Sequence, residues 1–183
     1  MILKNGNFKI KISEDKTFTF NSTDNKPFDV LINPLNINRS DYYKAFCIEI
    51  ETDCSLKRLI LVGPPFGSTK DIAIINDNNL IMYIDTTLFV IDYHEAILKF
   101  YKVILTFGTG FSIYKFCDGY IIYGELEIIK LSKNFNVEWS FSGKDIFVTD
   151  NDTNPFLIEG ELIYLTDWNG DKYIIDNSGK VVG

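Results

Sequence analysis

The feature that most constrains the fold is a repeated pattern of short apolar runs separated by turns. Its clearest copy is the segment 160–183, where Asn169-Gly170 separates the apolar run 162–165 from the run 173–175. Asn-Gly favours the positive φ angles of a two-residue type I′ loop, so this pair predicts a β-hairpin with such a loop. A second turn at 177–179 predicts that a third strand follows.

Two earlier segments, 119–141 and 80–100, carry the same order of strand, turn, strand, turn and strand. Equivalent positions recur with a period of about 40 residues in two sets: Leu80, Tyr120 and Glu161, and Ile91, Leu131 and Ile175. Several strands per unit at this period are typical of β-propeller blades. We therefore predict an all-β fold with about three antiparallel, blade-like meanders that follow an N-terminal β unit.

This pattern resembles the repeats of quinoprotein-type β-propellers over residues 70–183. The apolar runs in this part of the chain are continuous rather than alternating, for example at 80–84 and 88–91. Continuous runs predict sheets that are covered on both faces, as in propeller sheets that stack on one another.

The N-terminal part has a different strand style. Phe8, Ile10 and Ile12 alternate with lysines, and a turn near Asp15 predicts that they pair with a strand at 18–20. A second hairpin is predicted from the alternating segment 46–50 and the run 59–62. Alternation predicts that these strands are covered on one face only.

The Gly-Pro-Pro-Phe-Gly segment at 63–67 divides the two styles of strand. We predict a single domain over residues 1–183, with an N-terminal β unit at 1–67 and about three repeats at 68–183. Within the repeats, the segment 95–105 has apolar residues at helical spacing. The equivalent place in the next repeat alternates, which favours a strand over a helix there.

Composition limits the partners that this chain can have. The 183 residues carry a formal net charge of −7, which disfavours binding to nucleic acid or to an anionic membrane and favours a basic partner. No apolar stretch approaches the roughly 20 residues of a membrane span, and residues 1–10 lack the long apolar core of a signal peptide. These features predict a cytoplasmic protein.

Candidate catalytic groups are few. His94 is the only histidine and lies at a predicted turn, which favours a solvated turn residue over a catalytic base. The pairs Glu125 with Glu127 and Glu159 with Glu161 share strand faces, as is common in any acidic protein. The three cysteines are predicted to be reduced thiols, mostly buried. No catalytic or cofactor-binding residue is predicted.

One string of oxygen ligands matches part of a calcium-loop template. Asp150, Asp152, Asn154 and Glu161 stand at positions 1, 3, 5 and 12 of the template. Pro155 takes the place of the glycine that makes the sharp turn, and the flanking segments read as strands rather than helices. We therefore expect an acidic loop and predict no metal site.

The turn at Asp167, Trp168 and Asp171 is the predicted partner-binding site. An aromatic residue beside a tight turn and flanked by two carboxylates is a plausible anchor for a basic protein. The sequence thus predicts a non-catalytic protein-binding module, which is similar in size and charge to the immunity partners of bacterial toxins. The alternative is a carbohydrate-binding protein or a hydrolase that uses carboxylates in a cleft.

Overall fold

The computed structural model shows an all-β chain, as predicted, and describes residues 1–104, 107–149 and 154–183. Within these ranges, no helix has the length and hydropathy needed to cross a membrane. The strands are β1 (Ile2–Asn5), β2 (Phe8–Glu14), β3 (Val30–Ile32), β4 (Lys44–Thr52), β5 (Ser55–Gly63), β6 (Ala73–Asn76), β7 (Asn79–Ile84), β8 (Thr87–Asp92), β9 (Ile97–Val103), β10 (Gly110–Phe116), β11 (Gly119–Gly124), β12 (Ile128–Leu131), β13 (Val137–Phe141), β14 (Phe156–Glu159), β15 (Leu162–Thr166) and β16 (Lys172–Asp176).

The chain forms two compact units, Met1–Ile104 and Leu105–Gly183. The first unit contains sheet A, with strand order β1-β2-β4-β5-β3, and sheet B, with order β6-β7-β8-β9. The second unit contains sheet C, with order β10-β11-β12-β13, and sheet D, with order β14-β15-β16. The predicted boundary at residue 67 separates sheets A and B, whereas the units divide after Ile104.

Sheets B, C and D are antiparallel meanders in which each strand pairs with the next one along the chain. They confirm the predicted three blade-like repeats, and the strands β7, β11 and β15 are the equivalent ones. Each meander begins one strand earlier than the sequence pattern indicates, at β6, β10 and β14. The favoured strand at 95–105 is confirmed by β9, although residue 105 lies outside the described part of the chain.

Sheet A confirms the hairpin of β4 and β5, which are joined at the turn between Thr52 and Ser55. The predicted strand at 18–20 is wrong, because these residues lie in an irregular segment and β2 pairs with β4 instead. Phe18 is buried there, and its ring contacts that of Phe20 with 5.5 Å between centroids. Aromatic packing, rather than a strand ladder, fixes this segment.

Each unit has its own hydrophobic core. In the first unit, sheets A and B share a core that includes Ile48 of β4 and Met82 of β7. A smaller core on the other face of sheet A joins Ile60 and Val62 to Phe18. The end of β5 is therefore buried on both faces, not on one face as the alternation predicted. In the second unit, sheets C and D share a core rich in aromatic side chains.

Candidate functional site

The Trp168 turn, residues 167–171, connects β15 to β16. The N–H of Gly170 donates to the carbonyl of Asp167 at 2.9 Å, and the N–H of Asp167 donates to the carbonyl of Asp171 at 3.0 Å. Gly170 has a φ of 84°, and Asn169 is not among the residues with positive φ. The predicted hairpin is confirmed, but its two-residue type I′ loop is wrong. Three residues, 168–170, lie between the hydrogen-bonded pair Asp167 and Asp171, and the glycine among them is in the left-handed region.

Asp167 is buried, with 0% of its surface exposed, and it organises this turn. Its carboxylate accepts hydrogen bonds from the hydroxyl of Tyr173 at 2.7 Å and from the N–H of Asp171 at 3.0 Å. Burial raises the pKa of Asp167, but these bonds, with those from the N–H groups of Asn169 and Asp145, lower it further than burial raises it. The carboxylate is therefore enclosed by the turn and does not face a partner.

Trp168 is 47% exposed, while the backbone around it is held in place. Its N–H donates to the carbonyl of Ile146 at 2.8 Å. The side-chain amide of Asn169 donates to the carboxylate of Asp145 at 2.9 Å. The turn is thus tied to the segment 144–147 at Trp168 and at Asn169, and the indole is presented to solvent from a fixed backbone.

Asp171 lies at the surface and pairs with a lysine. Its carboxylate is 2.9 Å from the Nζ of Lys144, and both side chains are substantially exposed. This hydrogen bond raises the pKa of Lys144. The backbone N–H of Lys144 also donates to the hydroxyl of Tyr173, which in turn donates to Asp167. The exposed ion pair and the buried carboxylate are therefore parts of one hydrogen-bonded network.

The three predicted site residues consequently have different roles. Trp168 and Asp171 are available to a partner, whereas Asp167 supports the turn. Sequence reasoning missed Lys144 and Asp145, which come from the irregular segment after β13 and complete the site. No local motif marks them, because their contacts with the turn join residues more than twenty positions apart.

His94 occupies the turn between β8 and β9, as the sequence predicts. It is exposed, and its backbone N–H donates to the carboxylate of Asp92 at 3.0 Å. The imidazole packs on the rings of Phe8 and Tyr93, with centroid distances of 4.3 and 4.7 Å. These contacts make it a packing residue at a turn.

The paired glutamates are also accounted for by local structure. Glu127 is buried, and its carboxylate accepts a hydrogen bond from the N–H of Phe107 at 2.7 Å. Glu125 makes a longer contact with the same loop. Glu159 and Glu161 are exposed on either side of the turn between β14 and β15.

A charged cleft of about 440 Å³ lies on the outer face of sheet A. Glu49 at its centre is 2.9 Å from the guanidinium of Arg58 and 3.2 Å from the Nζ of Lys11. The hydrogen bond from Arg58 lowers the pKa of Glu49. A carboxyl group needs a raised pKa to act as a general acid near neutral pH. The cleft therefore provides a neutralised ion network rather than an acid and base pair.

The cysteines are free but differ from the prediction in their exposure. Cys47 is partly buried, whereas Cys54 and Cys117 are exposed. The expectation of mostly buried thiols is therefore wrong, because two of them lie at turns. Burial raises the pKa of the Cys47 thiol and that of the Cys117 thiol. A raised pKa leaves less of the thiolate that acts as a nucleophile.

Of the calcium-like string, Asp150 and Asp152 lie outside the described residues. The side-chain oxygen of Asn154 accepts a hydrogen bond from the N–H of Phe156 at 3.2 Å, and Glu161 is exposed. In the ranges that the structure describes, no group of three or more histidine, cysteine or acidic side chains could hold a metal ion.

Several solved structures of propeller proteins are similar to this chain. BamB from Moraxella catarrhalis is 11% identical with a TM-score of 0.49, over 75% of this chain and 42% of that chain. Hsv2 from Kluyveromyces marxianus is 6% identical with a TM-score of 0.45, over 76% and 43%. Glutaminyl cyclase from Myxococcus xanthus is 14% identical with a TM-score of 0.39, over 77% and 64%.

This chain spans less than two thirds of the length of each of these structures. No protein-family model matches the sequence, and no curated protein matches it at a significant level. At TM-scores below 0.5, none of the similarities assigns a function. The β-propeller-like repeat that the sequence predicts is confirmed by the meanders of sheets B, C and D themselves.

Proposed function

We propose that this chain is a non-catalytic protein-binding module and that the Trp168 turn contacts its partner. The observation that carries the proposal is the half-exposed indole of Trp168 on a backbone fixed by hydrogen bonds at Ile146 and Asp145. Tryptophan is enriched among the residues that dominate binding energy at protein interfaces. A fixed backbone lowers the entropy lost when the side chain is ordered on binding.

The charge of the chain supports a basic partner. The net charge is −7, and two carboxylates, Asp171 and Asp145, belong to the hydrogen-bonded network of the Trp168 turn together with one cation, Lys144. Opposite charge on the partner would raise the association rate and align the two surfaces. Affinity should therefore fall as the salt concentration rises. We further propose a cytoplasmic location, which cell fractionation with an antibody to the chain tests.

The alternative, a carbohydrate-binding protein or a hydrolase with carboxylates in a cleft, has less support. In the charged cleft on sheet A, Glu49 is neutralised by Arg58 and Lys11. Asp15 accepts hydrogen bonds from the backbone and the hydroxyl of Thr17. Burial raises the pKa of Asp15, but these bonds outweigh it and the net shift is downward. Both carboxylates are thus stabilised as anions.

The test is partner capture with three forms of the full chain. Wild type, Trp168→Ala and Phe107→Ala are immobilised, and the partner is captured from the native cell, identified by mass spectrometry and purified for titration. Phe107 is the matched control, because it is an aromatic residue of the same unit that is 76% exposed. We expect Trp168→Ala to weaken binding by about 2 kcal/mol, which is about 30-fold in Kd.

Melting temperature separates folding from binding in this experiment. Because the Trp168 side chain is half-exposed, its removal should change the melting temperature by only a few degrees. Phe107→Ala should leave affinity unchanged. A partner that binds Trp168→Ala as tightly as wild type would show that the indole belongs to the fold and not to the interface.

A further inference from the structure

A second candidate binding site lies in the first unit, on the outer side of sheet A. It is an open cleft of about 790 Å³, which we call the Arg39 cleft. Three apolar side chains, Phe20, Leu31 and Ile37, form its floor, and three polar ones, Asn21, Asn38 and Arg39, line its rim. The volume is in the range of sites that accept ligands of the size of a short peptide segment.

The floor of the Arg39 cleft is held in shape by its neighbours. The ring of Phe20 packs edge-to-face on Tyr43, with 5.2 Å between centroids. Ile37 is fixed by Asn33, whose side chain donates to the Ile37 carbonyl at 2.9 Å and accepts from its N–H at 3.0 Å. Leu31 comes from β3 and is 42% exposed. The cleft therefore offers a preformed apolar surface that is open to solvent.

The rim carries a cation without a partner. The chain has two arginines, Arg39 and Arg58. The Nε of Arg58 is 2.9 Å from a carboxylate oxygen of Glu49. The guanidinium of Arg39 has no ion pair or hydrogen bond within the described residues. The loop that carries it is ordered, since the N–H of Asn38 donates to the carboxylate of Asp41 at 2.7 Å. An arginine held at a rim in this way is suited to two hydrogen bonds with a carboxylate.

The remaining rim groups suit a peptide backbone. The side-chain amides of Asn21 and Asn38 make no hydrogen bond among the described residues, and each offers both a donor and an acceptor. The main chain of a peptide likewise offers one donor, the N–H, and one acceptor, the carbonyl, at each residue, so each amide can bond to both. Two of the three floor side chains, Leu31 and Ile37, are branched and aliphatic, and they suit an apolar side chain of the ligand.

We propose that the Arg39 cleft binds an extended peptide segment that carries a large apolar side chain next to a carboxylate. The apolar side chain covers the floor, the carboxylate pairs with Arg39, and the two asparagines bind the main chain. This site shares no residue with the Trp168 turn, and its proposed ligand is acidic, whereas the partner proposed for the Trp168 turn is basic. Failure of one proposal therefore leaves the other intact.

The experiment titrates the isotope-labelled full chain with two synthetic probes and follows backbone amide resonances. The probes are acetyl-Gly-Phe-Asp-Gly-amide and its neutral counterpart with Asn in place of Asp. We expect shifts at Leu31 and Asn38, with the acidic probe binding about three- to tenfold tighter than the neutral one. Arg39→Gln should remove this difference. Lys57→Gln, an exposed cation on β5 of the same unit, is the control and should preserve it.

Arg39 is exposed, so its replacement should leave the spectrum of the folded chain in place, and this is checked before titration. The absence of shifts at Leu31 and Asn38 at millimolar probe would overturn the proposal. So would a preference for the acidic probe that survives Arg39→Gln. Tighter binding of N-acetylneuraminic acid than of the acidic probe would identify a saccharide site and refute the peptide assignment.

Discussion

The surroundings of two buried aspartates, Asp167 and Asp85, shift their pKa values in opposite directions. Around Asp167, hydrogen bonds outweigh burial and the pKa is lowered. Asp85 lies in the turn between β7 and β8, is 9% exposed, and accepts no hydrogen bond on its carboxylate from the described residues. Burial therefore raises the pKa of Asp85, and the charge of Lys44 offsets this only in part.

These opposite shifts have opposite consequences for stability. The contribution of Asp167 is present above the ordinary pKa of aspartate and is lost as the pH falls through its lowered pKa in the folded chain. For Asp85, the folded state favours the protonated form. Its contribution is present below the ordinary pKa of aspartate and is lost as the pH rises through the raised pKa of the folded chain.

We predict that Asp85→Asn is more stable than wild type at neutral pH. The amide removes the charge that burial penalises, and Asn tolerates the left-handed φ of 55° found at this position. The gain in melting temperature should be a few degrees near pH 7 and should vanish as the pH falls below the ordinary pKa of aspartate. Thermal unfolding over this pH range measures it.

Asp77→Asn is the control for any gain in stability that comes from the preference of asparagine for left-handed turn conformations. Asp77 has a similar φ of 51° in the turn between β6 and β7, but it is exposed. A gain of equal size in both variants would assign the effect to turn propensity rather than to the burial of a charge.

Among the elements, the Trp168 turn needs glycine at position 170 because of its backbone conformation, not because a side chain would lack space there. Apart from Gly170 and its two chain neighbours, no residue has an atom within 4 Å of the place where a β-carbon would stand, yet φ is +84°. We expect Gly170→Val to lower the free energy of unfolding by about 1–2 kcal/mol through left-handed strain. Chemical denaturation of the full chain measures this loss.

Gly170→Asn tests the mechanism, because asparagine adopts left-handed conformations more readily than valine. It should retain most of the stability of wild type. Equal losses in the two variants would show that a contact of the glycine backbone, not the φ angle, sets the cost.

Some elements could be predicted from local sequence, and others could not. The meanders were predictable because each strand pairs with its neighbour along the chain and continuous apolar runs mark the central strands β7, β8 and β11. By contrast, β3 pairs in parallel with β5, although β4 lies between them in the sequence. The segment 18–20 alternates like a strand, but its phenylalanines pack in an aromatic cluster instead. Tertiary packing overrides the local pattern at these places.

For the whole molecule, the candidate site was only partly predictable. The exposure of Trp168 and of the Asp171 side chain was predictable, because turn residues lie at the surface as a rule. The burial of Asp167 could not be predicted, since it depends on the hydroxyl of Tyr173 and on the segment that carries Asp145. The Arg39 cleft left no pattern in the sequence, because its floor joins side chains from separate loops and from β3.

The most direct test of the proposed function is the fluorescence of Trp168 in the Trp139→Phe variant, where it is the one tryptophan. Trp139 is partly buried, and its indole donates to the carbonyl of Asn177 at 2.9 Å, so its own signal would mask the change. Saturation with the captured partner should shift the emission of Trp168 to shorter wavelength and reduce its quenching by acrylamide. Binding at full affinity with unchanged emission and quenching would contradict the assignment of the Trp168 turn as the interface.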